Sequence, residues 1–287
     1  MELKNIAVLG AGIMGAGIVQ VAAQAGLQVK MRDVDDKFVD KGMSIIKQSL
    51  GRIVKKEKMT QGEADAAVAR IKCTTDLLEA VKDVEVVIEA IPENMALKKE
   101  TYAKIDKVCP PNVIFASNTS GLSITEMAST TQRADRFVGM HFFNPVPMMQ
   151  LIEIVRGYST SDETVKTIEQ LAARMGKTAL IAKDMPGFVT TRLIAMLENE
   201  AIYALAEGVA SAEDIDKSMR LGMNHPMGPL ELSDFVGLDT VLSCLENLYK
   251  EYGDPKYRPP MLLRQMVRAG HLGRKTGRGF YDYTAKK

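Results

Sequence analysis

Residues 5–33 read NIAVLGAGIMGAGIVQVAAQAGLQVKMRD, and this stretch decides the fold. Short apolar runs at residues 5–9 and 28–32 predict two buried strands, and residues 13–25 between them predict a helix. The turn that joins the first strand to the helix reads GAGIMG at residues 10–15, which is the glycine spacing of a dinucleotide-binding loop. This order of strand, glycine-rich turn and helix predicts the first βαβ unit of a parallel sheet.

Each glycine of the turn has its own physical role toward a pyrophosphate. Gly10 permits the tight turn, Gly12 lets the backbone approach the anion, and Gly15 lets the helix pack against the strand. The backbone amides that open the helix, at Ile13 and Met14, are expected to face the anion.

An acidic residue follows the second strand. Asp33 lies about 20 residues after Gly12, where a carboxylate can accept hydrogen bonds from ribose hydroxyls and repel a 2′-phosphate. This position predicts NAD rather than NADP as the cofactor. Arg32 opposes that preference, because its guanidinium could bind the additional phosphate.

The rest of the chain predicts two domains. Apolar runs continue to alternate with helical periods as far as residue 183, and further strands are predicted at residues 84–90, 113–117, 137–143, 149–156 and 178–182. From residue 184 onward only helical periods occur. We therefore expect an α/β domain of the Rossmann type at residues 1–183 and an all-α domain at residues 184–287.

Composition excludes several classes of protein. With 37 Lys and Arg against 36 Asp and Glu, the formal net charge is +1, so no general field attracts nucleic acid or an anionic membrane. Glycines interrupt the apolar amino-terminal stretch, which argues against a membrane segment. Three dispersed cysteines indicate a reducing cytoplasm rather than a disulfide framework. His141, His225 and His271 lack metal-ligand spacing, so we expect no metal site.

A histidine and a glutamate flank a turn-forming sequence, NPVP at residues 144–147. In a hairpin centred on Pro147, His141 and Glu153 stand opposite each other. The carboxylate would fix the imidazole tautomer and stabilise the imidazolium, which makes His141 a competent proton acceptor near neutral pH. The spacing leaves open the alternative of a histidine in an interior turn beside a surface glutamate.

Six motifs occur in a specific order along the chain. They are GAGIMG at 10–15, SNTS at 117–120, HFFNP at 141–145, PGFV at 186–189, PMGP at 226–229 and the glycine-rich segment 273–281. Over essentially its whole length the chain resembles the short-chain L-3-hydroxyacyl-CoA dehydrogenases. The resemblance implies NAD-dependent interconversion of a 3-hydroxyacyl-CoA, such as 3-hydroxybutyryl-CoA, with its 3-oxoacyl-CoA, such as acetoacetyl-CoA. It also implies a homodimer or larger oligomer formed through the helical domain.

The resemblance also implies roles for individual residues. His141 would be the general base, with Glu153 orienting it, and Ser120 and Asn144 would hydrogen-bond the substrate and the nicotinamide. Further cofactor contacts are implied at Glu93, Lys98 and Lys275, and coenzyme A contacts at Ser49 and Lys56. Lys56 belongs to a basic patch on a predicted helix that suits a phosphorylated ligand. Such a patch is also compatible with an ordinary solvated face.

One position departs from the family pattern. Where the family usually has an active-site asparagine immediately before an arginine, this chain has Thr191 before Arg192. Threonine lacks the paired donor and acceptor of an amide, so one substrate hydrogen bond could be lost. Two other functions therefore remain open at this point: a dehydrogenase of free 3-hydroxy or sugar acids, and a catalytically weak dinucleotide-binding protein.

Overall fold

The computed structural model describes residues 3–284, and the chain divides into two compact units. The first unit ends at Met185 and the second begins at Pro186, close to the boundary predicted after residue 183. None of the described helices is both long enough and apolar enough to cross a membrane.

The first unit is built on one eight-stranded sheet within its described residues, in the order β3-β2-β1-β4-β5-β6-β7-β8. The strands are β1 Asn5–Leu9, β2 Gln28–Arg32, β3 Ile71–Thr74, β4 Val86–Glu89, β5 Ile114–Ser117, β6 Phe137–Phe142, β7 Leu151–Arg156 and β8 Thr178–Lys183. The flanking helices are α1 Ile13–Gln24, α2 Asp36–Lys55, α3 Gln61–Ala69, α4 Leu77–Val81, α5 Met95–Asp106, α6 Ile124–Ala128 and α7 Asp162–Arg174. The α/β class predicted from the alternating runs is confirmed.

The direction of the strands places the carboxyl ends of β1 to β6 at the same edge of the sheet. Neighbouring strands are parallel except β6 and β7, which pair antiparallel. At the centre of the sheet, Leu9 on β1 pairs with Arg32 on β2 and with Glu89 on β4. The order in which the chain adds strands to the sheet therefore reverses between β1 and β4. This position is the topological switch point, where α/β sheets bind ligands.

The second unit is helical. Its α-helices, within residues 186–284, are α8 Thr190–Ala206, α9 Ala212–Gly222, α10 Pro229–Val236, α11 Leu238–Tyr252 and α12 Met261–Arg268. The periodicity predicted α8 from residue 188, but the helix begins at Thr190 because Gly187 and Phe188 have φ values of 74° and 48°, outside the helical region.

The glycine-rich tail of the second unit is fastened to α10. Asp234 accepts hydrogen bonds from the backbone amides of Phe280 and Tyr281 at 2.9 and 3.0 Å. A Cβ atom at Gly273 would lie 2.2 Å from the Asp234 carbonyl oxygen, and one at Gly279 would lie 1.9 Å from Asp234 Oδ1. Glycine is therefore required at both positions by close packing.

Helix α8 buries a carboxyl group. Glu198 is 5 % exposed, and its Oε1 atom has no hydrogen-bond partner among residues 3–284. Burial raises the pKa of Glu198 from 4.5 to about 8, because desolvation disfavours the charged form. The neutral carboxyl thus contributes stability that is complete below pH 4.5 and is lost as the pH rises through about 8.

Replacing this carboxyl by an amide should remove that pH dependence. We expect Glu198→Gln to raise the thermal unfolding temperature more at pH 9 than at pH 5, because the variant carries no charge to bury at either pH. Differential scanning calorimetry at the two pH values measures the difference. Glu200→Gln, on the exposed side of the same helix, is the control and should show no such change. Equal effects of Glu198→Gln at both pH values would contradict the prediction.

Candidate active site

The glycine-rich turn has the shape that a pyrophosphate needs. Gly10 has a φ of 104°, and a Cβ atom there would lie 2.4 Å from the Ala90 carbonyl oxygen, while one at Gly15 would lie 1.8 Å from the Gly10 carbonyl oxygen. At Gly12, the amino-terminal cap of α1, a Cβ atom would have no described atom within 4 Å apart from its immediate neighbours along the chain. The backbone is thus tight at two glycines and open at the third, and this open side fits an anion at the helix amino terminus.

Asp33 is oriented by the same turn. Its two carboxylate oxygens accept hydrogen bonds from the backbone amides of Ala11 and Val34, both at 2.7 Å. Each oxygen keeps a further acceptor site, which suits ribose hydroxyls. The neighbouring Arg32 donates its Nε–H to the Thr75 carbonyl oxygen at 3.1 Å, so the guanidinium is tied to the segment after β3.

His141 and Glu153 form a buried pair on β6 and β7. The two residues are partners in the antiparallel register, and His141 Nδ1 lies 2.7 Å from Glu153 Oε2. His141 is 5 % exposed and Glu153 is 0 % exposed, so the alternative of a surface glutamate is wrong. A carboxylate that accepts a hydrogen bond from Nδ1–H selects the tautomer in which Nε2 is the basic nitrogen.

The segment after β5 joins this pair to the rest of the site. Asn118 Oδ1 accepts a hydrogen bond from the Phe142 amide at 2.9 Å, which ties the segment to β6. Glu93 Oε1 accepts hydrogen bonds from the Thr119 hydroxyl and from the Ser120 amide, the latter at 3.0 Å. The Ser120 side chain is exposed beside these contacts.

Sequence reasoning missed Glu89, the last residue of β4. Glu89 is 0 % exposed, and its Oε1 atom accepts hydrogen bonds from Lys98 Nζ at 2.6 Å and from the Ile91 amide at 2.8 Å. Lys98 is itself 1 % exposed. Its ammonium group therefore faces protein acceptors, and in this structure it contacts the site through Glu93, whose Oε2 atom is 3.3 Å away.

Hydrogen bonds from a buried lysine hold the loop that carries Asn144. Asn144 is exposed and precedes Pro145 through a cis peptide bond. The buried Lys177 donates hydrogen bonds to the carbonyl oxygens of Val146 and Met149 at 2.6 and 2.7 Å. Burial lowers the pKa of Lys177, because the charged form loses hydration.

The two residues matched to coenzyme A contacts lie on and just after α2. Ser49 is half-buried, and Lys56 caps the carboxyl terminus of the helix in an exposed position. Lys56 and three further basic residues, Arg52, Lys55 and Lys58, are all exposed. Gly42, on the same helix, has no room for a Cβ atom beside the Ala11 carbonyl oxygen, so α2 packs closely against the glycine-rich turn.

Two of the predicted site residues belong to the second unit. Thr191 lies in the first turn of α8 and is half-buried. The next residue, Arg192, places its guanidinium 4.8 Å from the ring centre of Tyr252. Lys275 Nζ donates hydrogen bonds to both carboxylate oxygens of Asp239, at 2.5 and 2.6 Å.

The fold and the site define a dinucleotide-binding α/β protein with a helical second unit. Residues 5–185 match the family model described as 3-hydroxyacyl-CoA dehydrogenase, NAD binding domain, and residues 187–283 match the C-terminal domain of the same family. The chain belongs to the 3-hydroxyacyl-CoA dehydrogenase family. This membership agrees with NAD as the cofactor.

Relatives extend over the whole chain. The probable 3-hydroxybutyryl-CoA dehydrogenase of Bacillus subtilis (strain 168) is 52 % identical and the match covers 100 % of this chain and 99 % of the relative. The 3-hydroxybutyryl-CoA dehydrogenase of Clostridioides difficile is 45 % identical, with 97 % of this chain and 99 % of the relative covered. The crystal structure of (S)-3-hydroxybutyryl-CoA dehydrogenase from Ralstonia eutropha is 50 % identical, with a TM-score of 0.96 and coverage of 99 % and 100 %.

Proposed function

We propose that this protein is an NAD-dependent dehydrogenase that interconverts L-3-hydroxybutyryl-CoA and acetoacetyl-CoA. The observation that carries the proposal is the buried His141–Glu153 pair near the carboxyl end of a sheet whose first turn fits a pyrophosphate. A basic histidine and a dinucleotide site are the two components that oxidation of a secondary alcohol requires. The names of the relatives supply the substrate class.

In the proposed mechanism, proton transfer and substrate hydrogen bonding are assigned to residues of the first unit. His141 accepts the proton of the substrate 3-hydroxyl at Nε2, and Glu153 stabilises the imidazolium that results. A bound NAD would supply the acceptor for the hydride that leaves C3. We assign to Ser120 and Asn144 the hydrogen bonds to the substrate and the nicotinamide. In the reverse direction the imidazolium returns its proton to the 3-oxygen.

We assign cofactor binding to the residues predicted for it, with Asp33 reading the adenosine ribose. Asp33→Ala should weaken NADH binding about tenfold, because a hydrogen bond to a charged group contributes about 1.5 kcal/mol. The difference between the affinities for NADH and NADPH should become smaller at the same time, since the variant no longer repels a 2′-phosphate. Calorimetric dissociation constants for both cofactors test this. Asp36→Ala, at an exposed neighbouring position, is the control. An unchanged preference for NADH over NADPH in Asp33→Ala would exclude ribose recognition by this residue.

Coenzyme A binding is assigned to α2 and the residue that caps it. Ser49 supplies a hydroxyl and Lys56 an ammonium group, within a set of exposed cations that suits the phosphates of the coenzyme. Thr191 is assigned to the substrate and Lys275 to the cofactor, both from the second unit. We further propose that residues 184–287 form the substrate and dimerisation domain. The three free cysteines support a cytoplasmic location.

A turnover assay tests the proposed function directly. With acetoacetyl-CoA and NADH, the nicotinamide absorbance should fall at a rate that depends on the enzyme concentration. Free acetoacetate in place of the thioester should react far more slowly, because the coenzyme contacts are then missing. Faster turnover of the free acid would favour a dehydrogenase of free 3-hydroxy acids. Cofactor binding without turnover of either compound would indicate a catalytically weak dinucleotide-binding protein.

A further inference from the structure

Three charged side chains form a connected group at the carboxyl end of β4, and we call them the charge triad: Glu89, Lys98 and Glu93. Lys98 Nζ lies 2.6 Å from Glu89 Oε1 and 3.3 Å from Glu93 Oε2. Glu89 and Lys98 are both buried, whereas the Glu93 side chain is 46 % exposed. The triad thus extends from the interior to the surface beside Ser120.

The surroundings of Glu89 match an ionised carboxylate. Besides Lys98, the Ile91 amide donates a hydrogen bond to Oε1 at 2.8 Å, and the Ser117 hydroxyl donates one to Oε2 at 2.8 Å. A carboxylate is an acceptor only, and each of these three partners is a donor, as is the Tyr102 hydroxyl 3.4 Å from Oε2. With both glutamates ionised and the lysine protonated, the triad has a formal charge of −1.

The strand order places the triad on the nicotinamide half of the sheet. A dinucleotide crosses from one half to the other at the switch point between β1 and β4. Asp33 follows β2 and marks the adenosine half. The nicotinamide half therefore lies over the carboxyl ends of β4, β5 and β6, which carry Glu89, Ser117 and His141.

We propose that Glu89 is a positioning residue that acts through Lys98 and Glu93, and that the net negative charge of the triad favours NAD⁺ over NADH. The inference rests on the proposed function, because it requires NAD to bind as described above. The nicotinamide ring is cationic in NAD⁺ and neutral in NADH, so a negative charge beside it stabilises the oxidised form alone. Since Glu89 and Lys98 are removed from water, salt screens their charges less than it screens surface charges.

The test is the ratio of two dissociation constants in Glu89→Gln. The amide can accept from Lys98 and Ile91 and donate to Ser117, so the variant changes charge while conserving shape. We expect the ratio of the NAD⁺ dissociation constant to the NADH dissociation constant to rise about tenfold, because the variant removes one unit of negative charge from beside the cationic ring. A tenfold rise in this ratio corresponds to a rise of about 30 mV in the reduction potential of the protein-bound NAD⁺/NADH couple. Isothermal titration calorimetry with each cofactor measures both constants.

Ser117→Ala is the matched control, because it removes a neutral hydrogen bond from the same carboxylate. This variant should leave the ratio unchanged even if both affinities fall. A ratio that stays unchanged in Glu89→Gln would overturn the inference, including the case in which both affinities fall by the same factor. If circular dichroism shows that Glu89→Gln does not fold, Glu93→Gln removes one charge at the exposed end and must raise the ratio. Failure of the wild-type chain to bind either cofactor would instead overturn the proposed function.

Discussion

The His141→Ala variant is expected to bind NADH with nearly wild-type affinity and to reduce acetoacetyl-CoA roughly 10²–10⁴-fold more slowly, the usual contribution of a general acid–base group. The loss should appear in kcat, because the imidazole moves a proton in the transition state while other residues hold the cofactor. Steady-state kinetics with acetoacetyl-CoA and a calorimetric NADH titration provide the two measurements.

Two further variants separate a catalytic role from a structural one. His225→Ala removes a histidine from the second unit and should retain wild-type kcat. Glu153→Gln keeps the shape of the buried partner but removes its charge, so it should be slow and show a changed pH–rate profile. Wild-type turnover in His141→Ala would show that another group accepts the proton.

The Thr191→Asn variant is expected to raise kcat/KM for acetoacetyl-CoA. The family usually has asparagine at this position, and threonine has neither the reach nor the paired donor and acceptor of the amide. One recovered hydrogen bond of about 1–3 kcal/mol corresponds to a gain of roughly 5- to 150-fold. NADH affinity should not change, because Thr191 is assigned to the substrate and not to the cofactor.

The control for this gain is Leu193→Asn, which adds an amide at an exposed position of the same helix and should leave kcat/KM unchanged. A lower or unchanged kcat/KM in Thr191→Asn would mean that the site is built around threonine. The family role could then not be transferred to this position.

Local patterns predicted the elements that carry the cofactor turn and the histidine pair. The glycine-rich βαβ unit is confirmed because strand, turn and helix each have a separate signal in adjacent residues. The pairing of His141 with Glu153 follows from a turn sequence between two extended runs, which sets the register of a hairpin. The roles of these two residues remain proposals.

Elements without such a local signal were missed. Strand β3 is an edge strand whose residues are half-buried or exposed, so it has no continuous apolar run. The short helices α4 and α6 have too few turns for a period to show. Glu89 contacts Ser117 because β4 and β5 are neighbours in the sheet, and no spacing rule along the chain predicts that contact.

The attachment of the tail to Asp234 limits how the end of this chain can be altered. Lys275 lies between Gly273, which packs against Asp234, and Phe280, whose amide binds the Asp234 carboxylate. A chain cut just after Lys275 would retain that lysine but lose two amide donors to a buried carboxylate. Lys275 would then lie at a chain end that has lost these two hydrogen bonds to Asp234. A truncated protein therefore needs residues through at least Tyr281, and an affinity tag belongs after the described tail.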